Sequence, residues 1–581
     1  MRIIQGIPIS PGYAQGRAVL VGVWEGSVPR RTVARDEVKG EIDRFHAALE
    51  FSRQDLFRLR ERVQLELGSS EADIFAAHLM FLEDRQFIDR VERAVTENHL
   101  NVEAAIDLTV QELVGILSES DNAFLRERAE DIQDLGQRLQ RHLLRGGAAR
   151  PVALEPGTVL VARELLPSNL IDIDRGHLAG IVTETGGETG HAAILARSLG
   201  IPAITGVTEA TRIAVSGEPV LLDGLTGEVV FDAASQQLSD FIDRMRRYNA
   251  ASLHAISEEA KECATSDGTK IELYANIGRA DEVDQIAAHH LDGVGLFRTE
   301  YLFLDDPNPP SLDRQTDLYR GVAKALAGRP LVVRTLDLGG DKWPAFLAAQ
   351  FESNPNLGVR GLRFSLLAAP DLFRAQVRAL LRLSMEFEVQ IMLPMVLGAG
   401  DLRQARELIQ QIAAEEGIES LPRLGALVET PAAVFAIKDV LAACDFISVG
   451  TNDLTQFILA ADRNALALID DYTVLHPAVL RAIRQVLEAA HESGKPATIC
   501  GEAASDPRVA CLLVGLGARR LSLSPVSTAR VRYALRKSSV AALEELAGQA
   551  LASESAEAVS TFIDEALRHA FPDLEDTKIT V

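Results

Sequence analysis

Arg298 follows the apolar stretch GVGLF (293–297), Arg334 lies in LVVRTLD (331–337) and Arg360 in GVRGLRF (358–364). Glu429 closes LGALVE (424–429), Asn452 and Asp453 follow FISVG (446–450) with Arg463 a little beyond them, and Cys500 ends ATIC (497–500). Each lies at or near the carboxyl end of a stretch that reads as a β-strand, the edge where barrel and open α/β folds assemble ligand sites. Guanidiniums bind phosphate and carboxylate groups bidentately. Two hard carboxylate oxygens suit Mg²⁺, which keeps waters and takes its other ligands from substrate phosphate. Any one of these residues alone fits a structural ion pair. Together they predict a small, highly anionic ligand handled with a divalent metal.

A second pattern is GGETGHAAILARSLGIPAI (186–204). Two glycines allow close approach, Thr189 can cap, and AAILARSL reads as a helix stopped by Gly200 and Pro202. His191 then stands at a helix N-terminus, where unpaired N–H groups and the positive end of the dipole favour an anion, a phosphoryl group on the imidazole included. A capped helix with an incidental histidine has the same pattern.

The elements that must position these residues fall into blocks. The chain has 581 residues, with 59 Lys+Arg against 83 Asp+Glu and a formal charge of −24. This length implies several domains, and the acidic surplus disfavours nucleic acid or anionic membrane as the main partner. With 47% hydrophobic and 24% charged residues the chain can fold around cores. Four cysteines without a CxxC pair give neither a disulfide framework nor a zinc site. The opening residues have no long apolar run, and no stretch of about 18 apolar residues occurs, so a cytoplasmic protein without membrane insertion is expected.

The expected fold is α/β and multidomain. Residues 1–25 with 146–232 are rich in Gly, Pro and Val and read as one α/β domain, interrupted by an all-helical insertion at 33–144 where Gly and Pro are scarce. A polar segment at 233–262 reads as a linker helix without a wide apolar face. Residues 263–581 read as a (β/α)₈ barrel in preference to an open doubly wound sheet, which has a similar pattern, with strands at IELYANI (271–277), GVGLF, LVVRTLD, GVRGLRF, VQIMLPM (389–395), LGALVET, FISVG and ATICGE.

The motifs GGETGHAAILARSLGIPAI, GLFRTEYLF (295–303), RTLDLGGDK (334–342), NPNLGVRGLR (354–363), VETPAA (428–433), GTNDLTQF (450–457) and CGEAASDP (500–507) closely resemble Enzyme I of the bacterial phosphotransferase system. The resemblance covers nearly the whole chain. It takes in the opening GIPISPGYAQG and ADIFAAHLMFLED (72–84), which is similar to the family's carrier-docking segment.

The resemblance implies a swivelling phosphohistidine domain, a carrier-binding helical insertion and a phosphoenolpyruvate-binding barrel. Position by position, Glu429 and Asp453 would hold Mg²⁺, Arg298, Arg334 and Arg463 the phosphate and Asn452 the carboxylate, supported by Arg360 and Lys342. His191 would receive the phosphoryl group and Cys500 would protonate the enolate to release pyruvate, with a lowered thiol pKa expected beside the metal and arginines. The phosphoryl group would pass to a histidine of a small HPr-type carrier, and the family pattern implies a homodimer through the barrel. Gly190 and Glu188 stand where many members have a hydroxyl or thiol and a neutral or basic residue, and Leu166 where many have a threonine. A non-catalytic regulatory homologue and a phosphoenolpyruvate synthase or dikinase are the alternatives. The latter pair needs an ATP-binding domain, and no GxxxxGK[ST] loop precedes the histidine motif.

Overall fold

The computed structural model describes residues 2–21, 29–66, 79, 81–82, 84–118, 132–133, 135–136, 138–140, 142–143, 154–163, 177–185, 196, 201–232, 238–239, 241–246, 255–256, 258–304, 308–339, 346–347, 354–461 and 472–570. Two compact units result, Met1–Arg246 and Arg247–Thr577.

The first unit is built on one eight-stranded sheet. Its strands are β1 (Arg2–Gln5), β2 (Ile7–Ser10), β3 (Tyr13–Val21), β4 (Thr158–Ala162), β5 (Leu178–Thr183), β6 (Ala203–Thr205), β7 (Pro219–Asp223) and β8 (Glu228–Phe231). The order is β1-β8-β7-β3-β4-β5-β6-β2, with β3 to β6 mutually parallel and the others antiparallel. Strand β4 reads TVLVA and is buried throughout, as a strand covered on both faces must be. Its alternation sends Leu160 and Ala162 into one core with Ile181 and Ala203, and Val159 and Val161 into the opposite core with Val182, Ile204 and Leu222.

A helical segment separates the paired strands β3 and β4. Its long helices are α1 (Val38–Glu66), α2 (Arg85–Thr96) and α3 (Val102–Ser118). Phe45, Leu56, Phe87, Val91 and Ile106 form their shared core. Only residues 79, 81, 82 and 84 of the 72–84 motif are described; there, Leu79 and Leu82 join this core and Asp84 caps α2 by accepting from the Gln86 N–H at 2.7 Å.

The expected linker helix is different in character. Phe241 is buried against Leu221 and Val230 with its ring edge-on to Tyr13 at 5.3 Å, and Arg244 pairs with the buried Asp223 at 3.3 Å. Ala255 packs instead into the second unit's core. Leu238 and Met245 pack beside Phe241, so positions 238, 241 and 245 supply the apolar stripe that the sequence reading did not find.

The second unit is a closed barrel of eight parallel strands: β9 (Glu272–Ile277), β10 (Val294–Arg298), β11 (Leu331–Arg334), β12 (Val389–Leu393), β13 (Arg423–Val428), β14 (Phe446–Val449), β15 (Ala497–Ile499) and β16 (Arg520–Leu523). Seven match the expected stretches. GVRGLRF is not a strand: residues 358–361 form bends and a turn, 362–363 are helical and Phe364–Ala368 form a π-helical turn, because Gly361 adopts φ +61° and Arg360 is drawn inward to two carboxylates. The eighth strand is RLSL (520–523), short and half polar, whose Leu521 and Leu523 are fully buried. It closes the barrel between β15 and β9.

Outward-facing residues such as Val333, Ile391, Ala426 and Ile447 pack in the large core that includes the helices, while Leu296, Val332, Met392, Leu427, Phe446 and Cys500 form a separate cluster. The period of two assigns that cluster to the barrel interior. Three further helices matter for the site: α4 (Leu312–Ala325), α5 (Pro370–Ser384) and α6 (Thr451–Leu459). Among the described residues no helix is long and apolar enough to cross a membrane.

Candidate active site

Strand alternation determines what stands above the barrel's interior layer. Arg298, Arg334 and Glu429 lie two residues beyond Leu296, Val332 and Leu427, so they share the inner face one layer nearer the carboxyl ends of the strands. Arg298 and Arg334 are also ladder partners at the ends of β10 and β11. Two guanidiniums side by side would repel each other unless carboxylates answered them.

Those carboxylates are present. Arg334 is buried, pairs with Glu300, and reaches Asp337 Oδ2 at 3.0 Å and Glu429 Oε1 at 3.9 Å. Arg360 forks onto Asp453 at 2.9 and 3.1 Å and onto Asp337 at 3.3 and 3.2 Å. Arg298 is half-buried at the rim, 3.5 Å from Glu502. Asp337 therefore links Arg334 and Arg360 into one chain of alternating charge, which raises both guanidinium pKa values against the opposing effect of burial.

Local structure holds each acid. Glu429 Oε2 accepts the Met395 N–H at 2.9 Å, and Met395 takes a left-handed φ of +53°, rare for its type, to aim that donor. Thr430 caps the helix Pro431–Phe435 through the Ala433 N–H at 3.2 Å and donates to the Val396 carbonyl at 3.1 Å, with Pro431 suited to the first turn. This gives VETPAA its physical sense. Gly450 leaves room for Glu429: a Cβ there would lie 2.7 Å from Glu429 Cγ and Oε1. Asp453 sits in the first turn of α6, where the helix dipole favours its charge.

Asn452 accepts the Glu502 N–H through Oδ1 at 3.3 Å, and its carbonyl accepts from Tyr472 Oη at 2.8 Å. Cys500 is buried, with Sγ 3.5 Å from the Val449 carbonyl and its own carbonyl accepting from Asn276 Nδ2 at 3.0 Å. The lowering expected of its thiol beside a metal and arginines is opposed by the metal-free protein's own surroundings. Burial, reinforced by Glu429, pushes the thiol up to about 12 against the pull of Arg334 and Arg298. Such a thiol stays protonated at neutral pH, which suits an acid and not a nucleophile.

The barrel thus brings together Arg298, Arg334, Arg360, Glu429, Asn452, Asp453 and Cys500. Lys342, Arg463, His191, Gly190, Glu188 and Leu166 lie outside the described residues. Glu300 and Asp337 were missed as site residues, although each follows a strand-end arginine by two or three positions in FRTE and RTLD and obeys the same carboxyl-end rule. Met395 had no signal in sequence.

The chain is 35% identical over 571 residues to the phosphoenolpyruvate-protein phosphotransferase of Geobacillus stearothermophilus, covering 97% of this chain and 98% of that one. The chain belongs to the phosphoenolpyruvate-protein phosphotransferase family. Its relative from Enterococcus faecalis is 35% identical over 556 residues, covering 94% of this chain and 96% of that one. Three family descriptions match in turn: PEP-utilising enzyme, N-terminal (5–128), its mobile domain (154–227) and its PEP-binding domain (254–540). A solution structure of an Enzyme I protein is 30% identical, covers 42% of this chain and 99% of its own, and has a TM-score of 0.37.

A divalent metal fits the phosphotransferase-family barrel on its own charges. Four buried carboxylates (Glu300, Asp337, Glu429, Asp453) face two buried guanidiniums (Arg334, Arg360), an excess of two negative charges when all are ionised. Glu429 carries the strain: burial, then Asp453 and Asp337, push its carboxyl up to about 8 against Arg334 and Arg360. Among the described residues no group of three or more His, Cys, Asp and Glu has the arrangement to hold a metal. Glu429 and Asp453 as a pair suit Mg²⁺, which takes one or two carboxylates and completes its shell with water and substrate phosphate.

Proposed function

We propose that this protein is a phosphoenolpyruvate-protein phosphotransferase acting first in the sugar phosphotransferase system. The phosphorus–oxygen bond of phosphoenolpyruvate breaks, a phosphorus–nitrogen bond forms at His191, and the enolate left behind takes a proton on its methylene carbon from Cys500 to become pyruvate. Phosphohistidine then donates to a histidine of an HPr-type carrier. Arg298, Arg334 and Arg463 bind the phosphate, Asn452 the carboxylate, and Arg360 and Lys342 hold the surrounding charges. Glu429 and Asp453 take Mg²⁺, which when bound neutralises phosphate charge. Phosphoryl transfer asks for positioning and charge neutralisation more than for bond-making by the protein, and this wall of guanidiniums and carboxylates is suited to that.

Residues 1–25 with 146–232 serve as the phosphohistidine domain, 33–144 as the carrier-binding insertion, 233–262 as the linker and 263–581 as the phosphoenolpyruvate-binding barrel. The protein works in the cytoplasm, as a homodimer through the barrel. The observation that carries this reading is the buried Arg334–Asp337–Arg360–Asp453 chain beside Glu429 at the carboxyl ends of the strands, in a chain of this family. Incubation with labelled phosphoenolpyruvate and Mg²⁺ should give acid-labile, base-stable phosphate on His191 that a panel of HPr-type carriers can discharge. Label on another residue, or none, rejects the reading.

A further inference from the structure

Beneath the arginines lies a polar network that the chemistry above does not use. Gln376, on α5, has no exposed surface. Its Nε2 donates to Thr299 Oγ1 at 2.9 Å and to Tyr319 Oη of α4 at 3.1 Å, and its Oε1 accepts the Leu336 N–H at 2.9 Å. The amide orientation is fixed because a backbone N–H needs an acceptor. Thr299, also buried, donates through Oγ1 to the Arg334 carbonyl at 2.8 Å. The Leu336 carbonyl accepts in turn from Ser365 Oγ at 3.5 Å.

The placement of these bonds is informative. Thr299 directly follows Arg298, and Arg298 and Arg334 are the last ladder partners of β10 and β11. Past that pair the β-ladder ends, and the next tie between the two chain segments is the Thr299 hydroxyl on the Arg334 carbonyl. Leu336 stands between Arg334 and Asp337, the carboxylate that Arg334 and Arg360 share. One amide thus fixes the segment after β10 and the segment after β11 at once, from a helix that contributes no charge to the site.

We propose that Gln376, acting through Thr299 and Leu336, is a positioning residue that holds Arg298 and Arg334 at the spacing needed to grip the phosphate of an enol phosphate substrate. Gln376 touches no substrate; its effect passes through backbone. An apolar residue would fill the same space but would leave the Leu336 N–H without its acceptor and cut the tie to Thr299, so what Gln376 adds to packing is the joining of these two segments. The assignment of the ligand rests on the phosphotransferase reading.

The test measures phosphoenolpyruvate binding to the full-length protein by calorimetry with Mg²⁺, and exchange of labelled pyruvate into phosphoenolpyruvate. Gln376→Met keeps the side chain's length and removes its hydrogen bonds. It should raise Kd and the exchange KM at least about tenfold while kcat changes by less than about threefold, the split expected when ground-state and transition-state grip are lost together. Thr299→Val should move KM in the same direction, and Thr299→Ser, which keeps the hydroxyl, should restore it. Val377→Ala, a cavity in the apolar core one residue along α5, should lower Tm without moving KM. Wild-type Kd and KM in folded Gln376→Met overturn the proposal. If that variant does not fold, equal KM values for Thr299→Val and Thr299→Ser overturn it. A wild-type protein that binds phosphoenolpyruvate without exchange rejects the phosphotransferase reading, and the Kd comparison still decides Gln376.

Discussion

Glu429 is the residue on which the site's charge excess falls, and its raised carboxyl pKa has a definite sign. The ordinary value is 4.5 and the folded value about 8, so between those limits the folded protein holds a proton that the unfolded chain has released. Metal-free stability therefore falls as pH rises through that window, by on the order of a few kcal/mol in all, and is flat below it. Mg²⁺ should offset the loss, so the Tm gained on adding Mg²⁺ should be larger at pH 8 than at pH 6. Glu429→Gln should flatten the metal-free pH dependence, abolish most of the Mg²⁺ effect and lower turnover by about 100-fold or more. A Mg²⁺-induced shift in that variant equal to wild type would remove Glu429 from the metal site. The cysteines allow a second check. All four are buried, and burial pushes Cys263, Cys500 and Cys511 up to about 12 and Cys444 to about 11. A thiol reagent at pH 7.5 should leave them unmodified in the native protein and titrate all four in denaturant. Rapid native labelling of Cys500 would mean that its thiol is the reactive thiolate and not the protonated acid.

Elements, more than side chains, decide how tightly Glu429 is held. Strand β13 delivers it, Met395 supplies a backbone donor, and Gly450, after β14, leaves the space its side chain fills. Gly450→Ala would place a methyl 2.7 Å from Glu429 Cγ and Oε1. The cheapest relief is a swing of the carboxylate, so Tm should fall by only a few degrees while Mg²⁺-dependent activity falls by about tenfold or more. An unchanged metal dependence would show that Glu429 keeps its place. The same elements show what the sequence can carry. Seven barrel strands were legible because Val, Ile and Leu runs end in chemistry-bearing residues, and Arg298, Arg334 and Glu429 could be placed by that rule alone. RLSL was not legible, since a four-residue strand with two polar positions has no period to read, and GVRGLRF misled because Arg360's partners are far off in sequence. Cys500 directly follows β15, as the run ATIC implies, and in the metal-free protein the pull of its arginines is outweighed by burial that only the closed barrel creates. Gln376 had no sequence signal, being one glutamine on an amphipathic helix.

At the scale of the whole molecule, the proposed donor and acceptor belong to different compact units: position 191 falls within Met1–Arg246, and the arginines and carboxylates within Arg247–Thr577. A reaction divided in this way can be inactivated in either half separately. His191→Ala removes the acceptor but leaves the barrel residues, so the variant should bind phosphoenolpyruvate within about twofold of wild type and take up no label. Arg334→Ala keeps the proposed acceptor and loses the proposed phosphate ligand together with the counter-charge to Glu300, Asp337 and Glu429, so its own labelling should fall by about a thousandfold. Mixing the two full-length variants should restore labelling, with the label on the Arg334→Ala chains, if the barrel of one chain can serve the histidine of another. Mass spectrometry separates the two outcomes that matter, because the variants differ in mass and in the identity of residue 191. Phosphate on the His191→Ala chains would disprove the acceptor assignment, and wild-type labelling of Arg334→Ala alone would disprove the phosphate clamp. A mixture that stays unlabelled would mean that the two units of a single chain act only on each other, so that cross-chain transfer has no part in the reaction.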